Sequence, residues 1–201
     1  MKIIEPSVEL IDDVNAADVY SKIERCGRVS RQSEAKGDAA QFVRMLIKRG
    51  HESVLEHVSL TFHIICDRAI MAELTRHRLA SFSVESTRYV KYDELTFIYP
   101  SDDIYDNIAF DNATKATQDA YLVLTEDNPP ELARAVLPLC TKTELYMTAN
   151  LRELRHILKL RTAKTAHPQM RFVANQILNI LRDKLPVIVE DIGGKQHEDN
   201  D

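Results

Sequence analysis

Residues 76–89 combine permanent cations with hydroxyls, the side-chain types that bind a phosphate. The stretch reads RHRLASFSVESTRY and places Arg76, Arg78 and Arg88 among serine and threonine hydroxyls. Arginine stays charged at any working pH and can donate two parallel hydrogen bonds to phosphate or carboxylate. Hydroxyls can complete the acceptor shell of a phosphate. Because such cations repel one another, the spacing predicts an anion-binding site. The alternative interpretation is a basic helix end followed by a polar loop.

Other candidate chemistries have weaker support from residue type and spacing. His51 and His57 stand six residues apart, whereas a helical zinc-protease motif needs histidines four apart. The segment is therefore interpreted as a polar turn that caps a helix or touches a ligand, and no metal site is predicted. Cys140 would need a neighbouring base to act as a nucleophile, so a packed cysteine is the preferred interpretation. The sequence contains no GxSxG and no GxGxxG motif.

The composition limits the kind of anion that the cluster could bind. The 201 residues carry a net charge of −5, with 44% hydrophobic and 28% charged residues. A general nucleic-acid binder usually has a basic surplus, so a small phosphorylated ligand is predicted and nucleic acid is not. The three cysteines have no paired spacing, the start shows no apolar signal segment, and no apolar run approaches a membrane span. A cytoplasmic protein without membrane association is therefore expected.

Local patterns predict the elements that carry these residues. Asp38 caps a predicted helix to Lys48 that Gly50 ends, and residues 58–66 predict a strand. A helix capped by Asp67 is predicted to run to about Arg78, so that the arginine cluster would lie in its last turn and in the polar loop that follows.

The second half of the chain is predicted to alternate helices and short strands. A strand is predicted at 97–99, helices at 102–126 and 131–136, and a strand at 141–148. Asn150 is predicted to cap a helix to about Leu160, and Pro168 to open a last helix through Leu185. A single α+β domain over residues 1–192 is predicted, with an acidic, disordered tail at 193–201.

A second set of basic residues lies in this half. On the helix that Asn150 opens, Arg152, Arg155 and Lys159 fall near one face. For Arg155 and Lys159 the preferred interpretation is a solvated stripe. Arg134 and Arg161 lie at predicted helix ends, where ligands are often bound, and are candidate ligand contacts.

The residues from 76 to 89 also resemble a family signature. The flavin-dependent thymidylate synthases carry RHRxxSxxxxSxRY, and every fixed position is matched here. Flanking similarities follow in the same order: the segment 51–57, the segment 133–138, and Asn150-Leu151-Arg152 followed by Leu160-Arg161. The resemblance covers roughly residues 40 to 190.

The resemblance implies a function, a site and a fold. The family converts dUMP to dTMP with carbon from 5,10-methylenetetrahydrofolate and reducing power from NADPH through bound FAD. The fold is expected to be a twisted, largely antiparallel sheet surrounded by helices, and homotetramers with shared active sites are expected. Arg161 is expected to be catalytic, by contacting the uracil ring. The dUMP-binding positions would be Glu73, Arg76, Val84, Glu85, Ser86, Thr87, Arg88, Arg134 and Arg161. The FAD-binding positions would be His51, Ser53, Arg76, His77, Arg78, Asn150, Arg152 and His156.

Three positions depart from the pattern of relatives. Val84 stands where many have glutamate or glutamine, Glu73 where some have glutamine, and His156 where some have asparagine. A carboxylate at Glu73 would suit a phosphate site only if Arg76 or Arg78 paired with it. Two alternatives stay open. One is a nucleotide- or nucleic-acid-binding protein without catalysis, and the other is a degenerate synthase that binds dUMP without turnover.

Overall fold

The computed structural model describes residues 1–35, 37–100 and 107–193. Within these ranges the strands are β1 (Lys2–Ile3), β2 (Ser7–Leu10), β3 (Ser59–Asp67), β4 (Ser81–Val84), β5 (Thr96–Phe97) and β6 (Lys142–Asn150). The helices are α1 (Ala16–Arg28), α2 (Ala39–Lys48), α3 (Arg68–Leu74), α4 (Ile108–Asp127), α5 (Pro130–Ala133), α6 (Leu151–Arg161), α7 (Pro168–Lys184) and α8 (Pro186–Val189). Short 3-10 turns span Val29–Arg31, Glu52–His57 and Arg134–Val136.

The main sheet is antiparallel and is built on one long strand pair. In the described part of the chain its order is β2-β3-β6-β4. β3 and β6 pair over their full lengths, from Ser59 opposite Asn150 to Asp67 opposite Lys142. Alternate residues of β3 point inward, and Leu60, Phe62 and Ile64 are buried there, as the twofold period of a strand requires. The short parallel pair β1-β5 lies beside this sheet and is bridged to it by Phe97 and Thr141.

Two strands run directly into helices through a residue that serves both elements. Asp67 ends β3, and its carboxylate accepts a hydrogen bond from the Ile70 N–H at 2.8 Å. Asn150 ends β6, and its side-chain oxygen accepts one from the Glu153 N–H at 2.9 Å. Each side chain satisfies an amide that the first helical turn would leave unpaired. The starts of α3 and α6 are therefore fixed to the ends of the central strand pair.

Apolar side chains from the sheet and the helices form one large buried cluster and one small one. In the large cluster, β-strand residues such as Phe62 and Met147 pack with Leu154 of α6 and Val173 of α7. The smaller cluster surrounds Tyr121 and joins α4 and α5 to β5. The predicted α+β fold, with an antiparallel sheet and helices around it, is confirmed.

The structure differs from the predicted elements around the arginine cluster. α3 ends at Leu74, about one turn earlier than predicted, because the backbone tightens there: the amides of Arg76 and His77 donate to the carbonyl oxygens three residues earlier, those of Glu73 and Leu74, at 3.3 and 3.0 Å. The predicted polar loop contains β4, which pairs with β6 from Ser81 opposite Thr148 to Val84 opposite Leu145. Its polar residues alternate with Phe82 and Val84, which pack on the large core cluster.

Other differences concern helices. The prediction omitted α1, which Asn15 caps, and α8. Residues 102–106 of the predicted helix at 102–126, and the predicted tail beyond Gly193, lie outside the described residues. Among the helices that the structure describes, none has the length and apolarity needed to cross a membrane.

Candidate active site

The N-terminal half of α6 forms one wall of a cleft of about 650 Å³. Of the predicted flavin positions, Asn150, Arg152 and His156 line it. The remaining lining residues are Glu52, Glu56, Leu79, Glu153 and Lys159. Asn150 ends β6 and caps α6. The end of β6 therefore fixes the start of α6 and the direction in which its side chains enter the cleft.

Arg155 lies beneath this cleft and is buried, with a side chain that is 1% exposed. Its guanidinium donates to both Asp191 carboxylate oxygens at 2.7 and 2.8 Å, to Glu52 at 3.0 Å, and to the Ile188 carbonyl oxygen. These bonds hold the pKa of Asp191 below its usual range. The interpretation of Arg155 as part of a solvated stripe is therefore wrong. The charge network ties α6, the 52–57 turn and the segment after α8 together.

Arg161, at the end of α6, is joined to the signature segment by two hydrogen bonds. Its Nε donates to Nε2 of His77 at 3.1 Å, and its Nη1 donates to Glu73 at 2.9 Å. The carboxylate of Glu73 thus pairs with Arg161, and not with the two arginines that the sequence suggested. The side chain of Arg161 is 24% exposed, so the guanidinium retains a face that a ligand can reach.

His77 is buried and neutral in this arrangement. Burial, followed by the charges of Arg161 and His156, lowers its pKa from 6.5 to about 4. Since Nε2 accepts from Arg161, the ring proton resides on Nδ1, which lies 3.5 Å from a carboxylate oxygen of Glu153. Burial raises the pKa of Glu153. The signature histidine is therefore a neutral acceptor that orients Arg161.

This geometry predicts a loss of stability in mild acid. The folded-state pKa of His77 lies below its ordinary 6.5, so the unfolded chain binds a proton more readily. Its contribution to stability should be complete above pH 6.5 and should fall as the pH drops toward 4. Urea unfolding of the wild type and of His77→Gln between pH 7 and pH 4.5 measures this slope. The variant should have the shallower slope, while exposed His57→Gln should match the wild type. Equal slopes for the wild type and His77→Gln would contradict the assignment.

The segment after β4 forms a tight turn at the surface. The Ser86 carbonyl oxygen accepts from the amides of Tyr89 and Val90 at 3.1 and 3.0 Å. Thr87 is buried, whereas Arg88 is exposed and donates to Glu131 of α5 at 2.9 Å. Arg134, also exposed, lies in the 3-10 turn directly after α5. The ion pair between Arg88 and Glu131 thus joins the two segments that carry Arg88 and Arg134, both of which are predicted to bind the phosphate.

Two predicted dUMP positions before this turn face inward. The Val84 side chain packs against the core, which leaves its backbone as the group available to a ligand. The Glu85 carboxylate accepts hydrogen bonds from Tyr92 at 2.8 Å and from Lys142 at 3.0 Å.

The predicted flavin positions line more than one surface of the molecule. His51 and Ser53 line a second cavity of about 490 Å³, bounded by the end of α1 and by α2. Arg76 and Arg78 are exposed in the connection between α3 and β4. The structure therefore brings together the set on α6 and the group Arg161–His77–Glu73, while His51 and Ser53 line the second cavity on either side of Glu52, which lines the α6 cleft.

Sequence reasoning missed several charged residues of these networks. Glu52 and Glu153 bind buried partners, and Lys142 bonds both Glu85 and Glu144. One local signal existed: Lys142 and Glu144 are two residues apart on a strand and so share a face. The bonds of Glu52 to Arg155 connect residues 103 positions apart, and no local pattern indicates them.

The cysteines and acidic groups add no second chemistry to this arrangement. Burial raises the pKa of Cys66 to about 12 and that of Cys140 to about 11, so both thiols are protonated near neutral pH and are poor nucleophiles. Over the described ranges, no group of three or more histidine, cysteine or acidic side chains is placed to bind a metal ion.

Comparisons with known proteins agree with the signature. The family described as thymidylate synthase complementing protein matches residues 9–187. The flavin-dependent thymidylate synthase of Geobacter sulfurreducens is 36% identical over 170 residues, 81% of this chain and 73% of the relative. That of Pyrococcus furiosus is 32% identical over 167 residues, 78% of this chain and 68% of the relative. The UMP/dUMP methylase PolB of Streptomyces cacaoi, solved with 5-Br dUMP, superposes with a TM-score of 0.81 at 29% identity, covering 94% of this chain and 96% of that one.

The residues matched by the family include the arginine signature, the turn after β4 and the helix that carries Arg161. With this extent of similarity, the chain belongs to the flavin-dependent thymidylate synthase family.

Proposed function

We propose that this chain catalyses the conversion of dUMP to dTMP in the cytoplasm. The carbon comes from 5,10-methylenetetrahydrofolate, and NADPH is the reductant through FAD. The observation that carries the proposal is the bonding of Arg161 to His77 of the signature and to Glu73, within a chain that matches the family over residues 9–187. This bonding joins Arg161, which is predicted to contact the uracil ring, to the segment that is predicted to bind dUMP.

The proposed roles at dUMP follow from charge and exposure. Ser86 and the guanidinium groups of Arg76, Arg88 and Arg134 bind the phosphate dianion, which needs several fixed donors. Arg161 faces the uracil ring and stabilises negative charge on its oxygen and nitrogen atoms, which makes carbon 5 nucleophilic. Neutral His77 keeps the guanidinium oriented without adding a second cation beside it. The remaining predicted positions are Thr87, Glu73, Val84, which acts through its backbone, and Glu85, whose carboxylate is bonded to Tyr92 and Lys142.

The α6 cleft has side chains that fit a flavin. Arg152, which is paired with Glu56, and Lys159 supply cations, His156 and Asn150 supply polar groups, and Leu79, which is 77% exposed, supplies an apolar surface. We assign these residues, with the predicted positions His51, Ser53, Arg76, His77 and Arg78, to binding FAD. A bound flavin would supply the hydride, so that no cysteine nucleophile is required. The chain's own contribution is to position dUMP, stabilise charge on its ring and shield the site.

The exposure of the signature arginines supports a shared active site. Arg76 and Arg78 are exposed on the connection between α3 and β4, outside the linings of both cavities. We propose that a homotetramer brings the cavity of one subunit against the arginines of its neighbour. Sedimentation of the flavin-loaded protein, with and without dUMP, tests this assembly.

The function is tested by spectroscopy followed by product analysis. The purified protein should show an oxidised-flavin spectrum that NADPH bleaches, faster when dUMP is present. Addition of methylenetetrahydrofolate should then yield dTMP. UMP replaces dUMP as the comparison nucleotide because PolB of Streptomyces cacaoi is a UMP/dUMP methylase. A colourless protein that neither takes up FAD nor oxidises NADPH would exclude this function. Salt-dependent polynucleotide binding would then favour a binding protein.

Removal of the Arg88 guanidinium should weaken nucleotide binding more than it slows turnover. Arg88→Ala loses a charge-assisted contact to phosphate, so we expect the KM for dUMP to rise about tenfold or more. Steady-state kinetics measure the effect, and Arg44→Ala is the matched control because Arg44 forms a similarly exposed pair with Glu190. An unchanged KM in Arg88→Ala would remove Arg88 from the phosphate site.

A further inference from the structure

We propose that Glu85 is a positioning residue for the dUMP-binding turn, acting through Lys142 and Tyr92 and not through contact of its carboxylate with the nucleotide. The inference rests on the function proposed above. It replaces the direct contact expected for Glu85 with an indirect one, and it gives roles to two residues outside the predicted site.

The first step is the direction of the Glu85 side chain. Tyr92 donates its hydroxyl to one carboxylate oxygen at 2.8 Å, and Lys142 donates to the other at 3.0 Å. The side chain is 13% exposed. The Glu85 backbone amide also donates to the Glu144 carbonyl oxygen at 2.9 Å. Both carboxylate oxygens are therefore engaged toward β6 and Tyr92, and the residue is fixed at the point where the turn begins.

The second step is that the far end of the turn is anchored as well. The Lys91 ammonium donates to the Thr125 carbonyl oxygen of α4 at 2.9 Å. The backbone amide of Tyr92 donates to the hydroxyl of Tyr121 at 3.3 Å, and Tyr121 is buried in the smaller core cluster. Tyr92 thus touches α4 through its amide and Glu85 through its hydroxyl. It closes a loop whose exposed part contains Ser86 and Arg88.

The third step is energetic. A loop with both ends fixed loses less conformational entropy when it binds a ligand. Residues that anchor the loop therefore raise the affinity for the ligand without contacting the ligand. The Tyr92 hydroxyl stays protonated at working pH, because burial and then the bond to Glu85 raise its pKa. The Lys142 ammonium also donates to a carboxylate oxygen of Glu144 at 2.9 Å. Removal of the Glu85 carboxylate therefore leaves the lysine with a charged partner. A Glu85 variant should therefore fold.

The test compares variants that separate indirect action from direct contact. Glu85→Leu removes both bonds, Tyr92→Phe removes one, and Glu85→Gln retains an amide oxygen that can accept. Glu144→Gln is the control, since Glu144 bonds the same lysine from its more exposed side. We expect the KM for dUMP to rise about tenfold in Glu85→Leu and about threefold in Tyr92→Phe, with kcat within about twofold. Glu85→Gln and the control should stay near the wild type.

A second readout does not depend on catalysis. The amides of Tyr89 and Val90 bond to Ser86 within the turn, and their hydrogen exchange should quicken in Glu85→Leu and Tyr92→Phe. The double variant should exchange no faster than Glu85→Leu, because both substitutions break the same contact.

The outcomes keep the two proposals apart. An unchanged KM in Tyr92→Phe, with Glu85→Gln as impaired as Glu85→Leu, would show that the carboxylate contacts dUMP and would overturn the inference. Unchanged exchange rates at Tyr89 and Val90 would overturn it as well. If the wild type neither binds dUMP nor forms dTMP, the proposed function fails, and the exchange rates alone decide whether Glu85 positions the turn.

Discussion

Arg161→Ala should lower kcat about 10²- to 10³-fold while the protein keeps its fold and its flavin spectrum. A donor aimed at charge that develops during the reaction is typically worth this factor. In this chain the guanidinium is pre-oriented by His77 at 3.1 Å and Glu73 at 2.9 Å. Single-turnover kinetics with saturating dUMP measure the loss.

Two controls define what the Arg161 result means. Lys184→Ala changes a half-exposed cation on α7 that lines neither of the two cavities and should leave kcat nearly unchanged. Removal of Arg161 also removes one of the charges that lower the pKa of His77, so the folded-state pKa should rise toward 6.5 and the acid-induced loss of stability should be smaller, with its onset still near pH 6.5. A kcat within about threefold of the wild type in a folded Arg161→Ala protein would exclude the role at the uracil ring.

Arg155→Met should reduce the free energy of unfolding by about 2–4 kcal/mol. Loss of one partner from a buried ion pair leaves the other charges uncompensated, and this is costly. Here the Arg155 side chain is 1% exposed, while those of Glu52 and Asp191 are 22% and 44% exposed. Water can therefore solvate the two carboxylates that lose their partner, which reduces part of the loss of stability. Urea unfolding followed by circular dichroism, at one subunit concentration, measures the change.

The neighbouring arginine supplies the matched control for Arg155. Arg152 bonds Glu56 with side chains that are 52% and 46% exposed, and Arg152→Met should cost less than about 1 kcal/mol. The triple change Glu52→Gln, Asp191→Asn and Arg155→Met should recover part of the lost stability because the unpaired carboxylates are gone. Equal losses from Arg155→Met and Arg152→Met would mean that burial does not strengthen the network.

Local interactions account for the parts of the fold that the sequence predicted well. Asp38, Asp67 and Asn150 were predicted to cap helices, and each accepts a hydrogen bond from an amide in the first turn of α2, α3 or α6. A cap depends on residues two or three positions apart, so it is readable in the sequence. β4 was missed because its pairing with β6 joins residues more than 60 positions apart.

The candidate site shows the same division between local and distant interactions. The arginine cluster and the position of Arg161 at a helix end could be read from residue type and spacing, and the family resemblance supplied their roles. The bonds of Arg161 to Glu73 and His77 cross 88 and 84 positions and could not. Arg155 was misread because its burial depends on α8 and the segment after it, whose partners Ile188 and Asp191 lie 33 and 36 positions away.

The direct passage from β6 into α6 restricts changes in chain length. Asn150 pairs with Ser59 in the sheet and caps the helix, and the next amide, that of Leu151, donates to the Val58 carbonyl oxygen at 2.9 Å. An inserted or deleted residue at this point would turn α6 by roughly 100° and carry Arg155 and Arg161 away from their partners. Natural variation in chain length should therefore occur elsewhere, and any insertion should be tolerated poorly between Lys142 and Arg161.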